Sequence, residues 1–112
     1  MTRLTEAQAA ALAKGKPPAA KESEIQAAIK SYLQYSGWLV IKIHQSLGSY
    51  RGIADLYALK NGRHVWIEVK TAKGRLSKDQ EKFRDEVEAY GGVYIVARSV
   101  EDIEPLASIV KT

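Results

Sequence analysis

The sequence of 112 residues contains no cysteine, which excludes a disulfide scaffold, cysteine-ligated zinc and thiol catalysis. It also has no long hydrophobic run. Its most apolar stretches, residues 9–13 and 38–41, fall far short of the ~20 residues that span a bilayer. Residues 9–13 resemble a signal-peptide core only weakly, because they are mostly alanine and Glu6 precedes them. We therefore expect a cytoplasmic protein with no membrane partner.

The composition that remains is typical of one globular domain. Hydrophobic residues make up 46% of the chain and charged residues 27%, values that argue against disorder. Charge is unevenly distributed. Residues 42–78 contain eight basic and two acidic side chains, whereas residues 79–104 contain three basic and eight acidic ones. The basic block suits a polyanion such as nucleic acid, but a solvated surface with scattered lysines explains the charge equally well.

The order of predicted elements indicates an α/β fold with a mixed sheet flanked by helices, because one strand is reached through a helix. Residues 1–21 are predicted to be a basic N-terminal appendage, flexible or with one short helix. Ser23 with Gln26, and Ser77 with Gln80, have the spacing of helix-capping boxes. The elements predicted after the appendage are a helix over 22–36, strands over 38–43, 53–59 and 64–71, a helix opened by Ser77, a strand over 93–97, and a short last helix capped by Ser99 and limited by Pro105.

The second and third strands are predicted to form a hairpin around Asn61-Gly62, the strongest short-range hairpin signal. A two-residue turn there pairs residues whose numbers sum to 123, so Asp55 faces Glu68. Lys70 lies on the same face as these acids. The opposite face is entirely apolar, which predicts a core face formed by Leu56, Ala58, Val65, Ile67 and Val69.

Two carboxylates directly opposite each other in a sheet repel. A bound proton, a cation between them or the Lys70 ammonium relieves the repulsion, and one ammonium for two acids leaves a negative site. Oxygen ligands at this spacing suit Mg²⁺ or Mn²⁺. The alternative is a solvated edge hairpin with both acids in water. The apolar run Val65-Trp66-Ile67 weakens that alternative because it is typical of a buried sheet.

Asp55 followed after a hairpin by Glu68-Val69-Lys70 matches the PD-(D/E)xK nuclease pattern. A longer ordered set closely resembles the VRR-NUC family of virus-type replication-repair nucleases over residues 22–101. That set consists of Glu22 with Ile25-Gln26, Arg51-Gly52-Ile53-Ala54-Asp55-Leu56, Ile67-Glu68-Val69-Lys70-Thr71, and Gly74-Arg75-Leu76-Ser77 with Gln80. The family usually has proline before the aspartate, where this sequence has Ala54.

The resemblance implies a restriction-endonuclease-like core (αβββαβ) over residues 22–112 and divalent-metal-dependent cleavage of DNA phosphodiesters. Short stand-alone members, from phages and bacteria, resemble homodimeric resolvases of four-way (Holliday) junctions. In the implied site, Asp55, Glu68 and the Val69 carbonyl hold Mg²⁺ or Mn²⁺, with no organic cofactor. Lys70 orients the attacking water and stabilises developing charge.

The resemblance also points to Glu22 as a further acid, and Glu22 shares a helix side with Ile25 and Ile29, whereas Glu24 points away. Gln80 is a candidate to hold a water or phosphate near the metal, alongside its capping role. The expected DNA contacts come from the loop before the second strand and the loop after the third. They are Tyr50, Arg51, Lys73, Arg75 and Lys78.

Two other functions fit the sequence. One is a basic DNA-binding module without catalysis, and the other is a flap or nicking nuclease on the same fold. A homodimer is expected because a junction resolvase makes paired cuts. The final helix and the appendage are the candidate dimer surfaces.

Overall fold

The computed structural model describes residues 5–6, 19–45 and 49–109. The predicted conformation of the appendage falls mostly outside these residues. The elements, in chain order, are α1 (Glu22–Tyr35), β1 (Leu39–Lys42), β2 (Leu56–Lys60), β3 (Arg63–Val69), α2 (Lys78–Ala89), β4 (Val93–Ala97), a 3₁₀ turn (Val100–Asp102) and α3 (Glu104–Ile109). The predicted αβββαβ order is confirmed.

The strands form a mixed sheet in the order β1-β2-β3-β4. β1, β2 and β3 are antiparallel neighbours, and β4 joins β3 in parallel after the α2 crossover. The hairpin register is the predicted one, from Lys60 opposite Arg63 to Leu56 opposite Ile67. Asn61 and Gly62 both have positive φ, 50° and 78°, as a tight primed turn requires.

One face of the sheet forms the main core. The five predicted core-face residues of β2 and β3 are all buried. They pack under α1, which contributes Ile29 and Leu33, and under the C-terminal segment, which contributes Ile103 and Leu106. Leu106 is therefore the described core residue of the final helix, and the role of this helix as a dimer surface stays a prediction.

On the other face, α2 covers β3 and β4. The Phe83 ring lies edge-on to Trp66 and Tyr94, at centroid distances of 5.2 and 6.1 Å. Toward β1, no helix of the described residues covers the same face, and Leu39 and Ile41 remain 56% and 44% exposed. No helix in the described part of the chain is long and apolar enough to cross a membrane.

The predicted capping box of the first helix is wrong. α1 begins at Glu22, and the carboxylate of Glu24 accepts a hydrogen bond from the Lys21 backbone N–H at 2.9 Å. Ser23 and Gln26 therefore lie inside the helix. The last helix is short, as predicted, but Ser99 makes no side-chain cap there. Instead, the Asp102 carboxylate accepts from the Arg98 N–H at 2.8 Å.

Three strands are shorter than predicted, each for a local reason. β1 begins after Trp38, whose N–H donates to the Leu33 carbonyl at 2.9 Å and closes the turn after α1. β2 begins after Asp55, because the side chain of this residue takes the Val69 N–H that strand pairing would use. β3 ends before Thr71, whose carbonyl accepts from Arg98 instead.

Candidate active site

The candidate site lies at the end of the hairpin remote from its turn, where β2 begins and β3 ends. Oδ2 of Asp55 accepts a hydrogen bond from the Val69 N–H at 2.8 Å, so the loop that carries Asp55 is tied to the end of β3. The Glu68 residue is 1% exposed. The two acids that the register predicted to be neighbours are thus brought together.

Glu68 has one anchored and one free oxygen. Oε2 accepts from Nε2 of Gln80 at 3.1 Å and lies 3.7 Å from Nζ of Lys70. Oε1 is buried, and it has no hydrogen-bond partner among the residues that the structure describes. Burial of the carboxyl, followed by the negative charge of Asp55, raises the pKa of Glu68 to about 8, although Lys70 opposes this shift. The single Lys70 ammonium therefore does not offset the burial of Glu68 and the charge of Asp55.

Gln80 has the capping role that the sequence predicted, and it also binds Glu68. The side-chain Oε1 of Gln80 accepts a hydrogen bond from the Ser77 backbone N–H at 2.9 Å. The backbone N–H of Gln80 donates to Oγ of Ser77 at 3.2 Å. These two bonds complete the predicted capping box at the start of α2. The side-chain Nε2 group of Gln80 donates to Oε2 of Glu68. The cap therefore fixes the rotamer that orients the Glu68 carboxylate, and whether Gln80 also holds a water or phosphate stays a prediction.

Gly52 presses the Asp55 loop against the start of α2. It has φ of +73°, and a Cβ at this position would lie 2.1 Å from the Asp79 carbonyl oxygen and 2.7 Å from the Gln80 nitrogen. Only glycine permits both this conformation and this approach. This close contact fixes the position of the loop that carries Asp55 relative to Gln80, which binds Glu68.

The first helix brings an acid toward the same place. Glu22 is exposed rather than buried on the core side of α1, but its charge contributes to the raised pKa of Glu68. Glu24 is committed to the helix start by its bond to the Lys21 N–H. These positions favour Glu22 over Glu24 as the acid of α1 that acts on the site.

The residues expected to contact DNA lie on the protein surface. Arg51, Lys73, Arg75 and Lys78 are all exposed. Tyr50 is 56% exposed, and its hydroxyl donates to Oε1 of Glu86 at 3.0 Å. Their contact with DNA stays a prediction.

Two basic residues were missed by the sequence reasoning. Lys82 lines a shallow cleft with Tyr50 and Arg51. Lys82 follows Lys78 by four residues on the same helix, and this spacing could have predicted that the two lysines share one helix face. Arg98 binds the loop after β3 through Nη1, which donates to the carbonyls of Thr71 and Gly74 at 2.6 and 2.7 Å. No local pattern reveals a contact between residues so far apart in the sequence.

Comparison with known proteins agrees with this geometry. The family model described as "Archaeal holliday junction resolvase (hjc)" matches residues 18–101, which is most of the chain. The chain belongs to the archaeal Holliday junction resolvase (Hjc) family. Membership of this PD-(D/E)xK-type family assigns nuclease function to the chain. No curated protein matches the sequence.

Two solved structures share the fold of this Hjc-family chain. One, titled "VRR_NUC domain", superposes with a TM-score of 0.68 at 24% identity and covers 78% of this chain and 94% of its own. The other, titled "VRR_NUC domain protein", has a TM-score of 0.65 at 14% identity and covers 83% of this chain and 89% of its own. The predicted resemblance to VRR-NUC nucleases and the restriction-endonuclease-like fold are both confirmed.

The donor set at the site fits a divalent cation. Oε1 of Glu68 is a buried oxygen without a partner, and Asp55 adds a second carboxylate beside it. Over residues 5–6, 19–45 and 49–109, no three His, Cys, Asp or Glu side chains converge as a metal site. The chain would therefore supply two carboxylates and leave the other positions to backbone carbonyl, water or substrate oxygens, as Mg²⁺ accepts.

We predict that Gly52→Ala destabilises the fold more than Gly62→Ala does. Both glycines have positive φ, but an added Cβ at Gly62 meets nothing within 4 Å. Gly62→Ala should therefore lower the free energy of unfolding by roughly 1–2 kcal/mol, the cost of the left-handed conformation alone. Gly52→Ala should lower it by more than about 3 kcal/mol because α2 must move. Urea unfolding of the three proteins measures the difference, and equal losses would contradict the proposed contact.

We also predict that the metal-free protein loses stability between about pH 5 and about pH 8. The folded state keeps the proton of Glu68 up to a pKa of about 8, whereas the unfolded chain releases it near the usual value of 4.5. The unfolded state is therefore favoured progressively as pH rises through this window. The charges of Asp55 and Glu22 raise the pKa of Glu68 and so strengthen this pH dependence, whereas the charge of Lys70 lowers that pKa and weakens it.

Urea unfolding in EDTA at several pH values tests this prediction, with Glu68→Gln as the matched variant. Glutamine keeps the shape of the side chain and removes its titration, so the variant should lose less stability over the window. A pH dependence that is identical in the two proteins would show that Glu68 does not titrate as described.

Proposed function

We propose that this chain is a divalent-metal-dependent DNA endonuclease that resolves four-way junctions as a homodimer. The observation that carries the proposal is the buried Glu68 carboxylate, which has one unpartnered oxygen and lies beside Asp55 and Lys70. Membership of a resolvase family supports the choice of substrate. Mg²⁺ and Mn²⁺ both suit these oxygen ligands.

The roles of the site residues follow from their positions. Asp55, Glu68 and the Val69 carbonyl would hold the ion. When bound, the ion polarises the scissile phosphate and lowers the pKa of a bound water. The Lys70 ammonium lies 3.7 Å from Oε2 of Glu68, where it orients the attacking water and stabilises charge on the phosphate. Gln80 fixes the Glu68 carboxylate, and Glu22 adds negative charge that favours a cation.

The surface around the site is suited to the DNA backbone. Arg51 precedes the Asp55 loop, whereas Lys73, Arg75 and Lys78 follow β3. All four are exposed and available to phosphates on either side of the scissile bond. The half-exposed Tyr50 ring offers a surface for stacking against a base or sugar. These contacts predict binding that weakens steeply with salt.

A basic DNA-binding module without catalysis explains the surface but not the buried acids. Carboxylates next to a phosphate site repel the ligand, and desolvation of Glu68 is costly unless a cation or proton occupies the site. The nuclease proposal accounts for both features with one set of residues.

The proposed dimer requires a self-complementary surface, and the open part of the sheet offers one. We name the residues Leu39, Ile41, Tyr57 and Leu59 the β1–β2 apolar surface. Leu39 lies opposite Leu59, and Ile41 opposite Tyr57, on the face that carries Asp55. Leu39 and Ile41 are half exposed. A second copy covering this surface by two-fold symmetry would bury it and pair two sites.

We predict that Asp55→Asn and Lys70→Ala each lower junction cleavage by at least about 100-fold and leave junction binding in place. Asparagine weakens the cation site, whereas alanine removes the ammonium beside it. Cleavage is measured in Mg²⁺ and in EDTA on a four-way junction, a flap, a splayed arm and a linear duplex. Binding is measured by fluorescence anisotropy without metal.

Asp85→Asn is the matched control, since Asp85 is exposed and paired only with Arg84 among the contacts described. It should cleave like the wild type. Unaltered cleavage by Asp55→Asn or Lys70→Ala would contradict the assigned roles, as would wild-type cleavage that persists in EDTA. Wild-type protein that binds but cleaves none of the substrates would favour the non-catalytic module, whereas preferred cutting of the flap or single-strand nicks would favour the flap or nicking nuclease.

A separate prediction concerns the dimer. Ile41→Glu should shift the protein from dimer to monomer in analytical ultracentrifugation, because a buried carboxylate in the β1–β2 apolar surface has no partner. Tyr90→Glu, at an exposed residue outside the β1–β2 apolar surface, should stay dimeric. A dimer that tolerates Ile41→Glu would place the interface elsewhere.

A further inference from the structure

A side chain that follows the neighbouring strand β4 binds the loop after β3. Nη1 of Arg98 donates to the carbonyls of Thr71 and Gly74 at 2.6 and 2.7 Å, and lies 3.4 Å from that of Ala72. The Gly74 N–H also bonds to the Thr71 carbonyl at 3.1 Å, which closes a tight turn. We name residues 71–74 the post-β3 turn. The guanidinium therefore joins the two ends of this turn.

The position of Arg98 at the end of β4 makes the attachment rigid. The preceding carbonyl, that of Ala97, accepts from the Lys70 N–H at 3.0 Å. The backbone N–H of Arg98 is in turn bound by the Asp102 carboxylate at 2.8 Å. Ala97, at the end of β4, thus fixes the Lys70 backbone, and Arg98, the first residue after β4, fixes the turn that follows Lys70.

The post-β3 turn also lies against the Lys70 side chain. A Cβ built at Gly74 would lie 3.4 Å from Cδ of Lys70 and 3.2 Å from Oγ1 of Thr71. The aliphatic stem of Lys70 therefore rests beside Gly74, and only 14% of the side chain is exposed. A shift of the turn would release this stem and change where the ammonium lies.

We propose that Arg98 is a positioning residue: it clamps the post-β3 turn so that Gly74 supports the Lys70 stem and Lys73 is presented at the edge of the site. Arg98 acts through carbonyl oxygens of the turn and not through the DNA. This inference rests on the proposed function, because it assigns Arg98 to the placement of the Lys70 ammonium during cleavage.

Arg98→Met tests the clamp, since methionine keeps much of the stem and removes the donors. At saturating protein, the single-turnover rate of junction cleavage should fall about 10- to 100-fold, while the Kd measured without metal changes by less than about threefold. Arg98→Lys should recover part of the rate because an ammonium can still bond to the turn carbonyls. Gly74→Ala should also lower the rate, because the added Cβ would press on the Lys70 stem that Gly74 supports.

Hydrogen exchange of the Gly74 amide provides a readout that does not depend on activity. Its bond to Thr71 closes the turn, so Arg98→Met should speed its exchange, while the core amide of Ile67 should exchange as in the wild type. Arg63→Met is the matched control. Arg63 is an exposed arginine at the hairpin turn, and its loss lowers the net charge equally without touching the post-β3 turn.

The outcomes separate this inference from the proposed function. Wild-type protein that never cleaves DNA would overturn the proposed function and this inference with it. Wild-type cleavage together with an unchanged saturated rate in Arg98→Met would overturn only the inference. A salt slope of binding lowered by about one in Arg98→Met, but not in Arg63→Met, would make Arg98 a phosphate contact and also overturn it.

Discussion

The structure depends on a carboxylate that is buried beside another carboxylate. Glu68 is 1% exposed, and one of its oxygens has no partner. A carboxyl group in such a place is stable only as the neutral acid or beside a cation, and burial together with the charge of Asp55 raises the pKa of Glu68 to about 8. An arrangement that costs folding stability is typical of a functional site. Under the proposed function, this arrangement would receive a divalent cation.

Several contacts keep this pair together, and each comes from a different element. The hairpin register brings Asp55 to the end of β3, while Gly52 lets the start of α2 approach the loop. From α2, Gln80 binds Glu68. From the end of β4, Arg98 binds the turn that supports Lys70. The site is therefore a product of the whole sheet and its crossover helix, not of one motif.

The parts of the site that the sequence predicted are those governed by local rules. Asn61-Gly62 and strand alternation were sufficient to place Asp55 near Glu68, and Ser77 with Gln80 was sufficient to start α2. The link between Gln80 and Glu68 and the burial of Glu68 depend on how α2 packs, which spacing does not reveal. Arg98 contacts residues 24 to 27 positions away, so its role was not predicted. The cap of α1 at Lys21 was also not predicted, because lysine is not a typical helix-capping residue.

Direct binding of a divalent ion is the measurement that tests this account most closely. Titration of Mn²⁺ into DNA-free protein, followed by electron paramagnetic resonance above pH 8, reports bound ion without reference to cleavage. The account predicts that the wild type binds Mn²⁺ and that Glu68→Gln loses this binding while it stays folded. Equal Mn²⁺ binding by the two proteins, or none by the wild type even with junction DNA present, would contradict it.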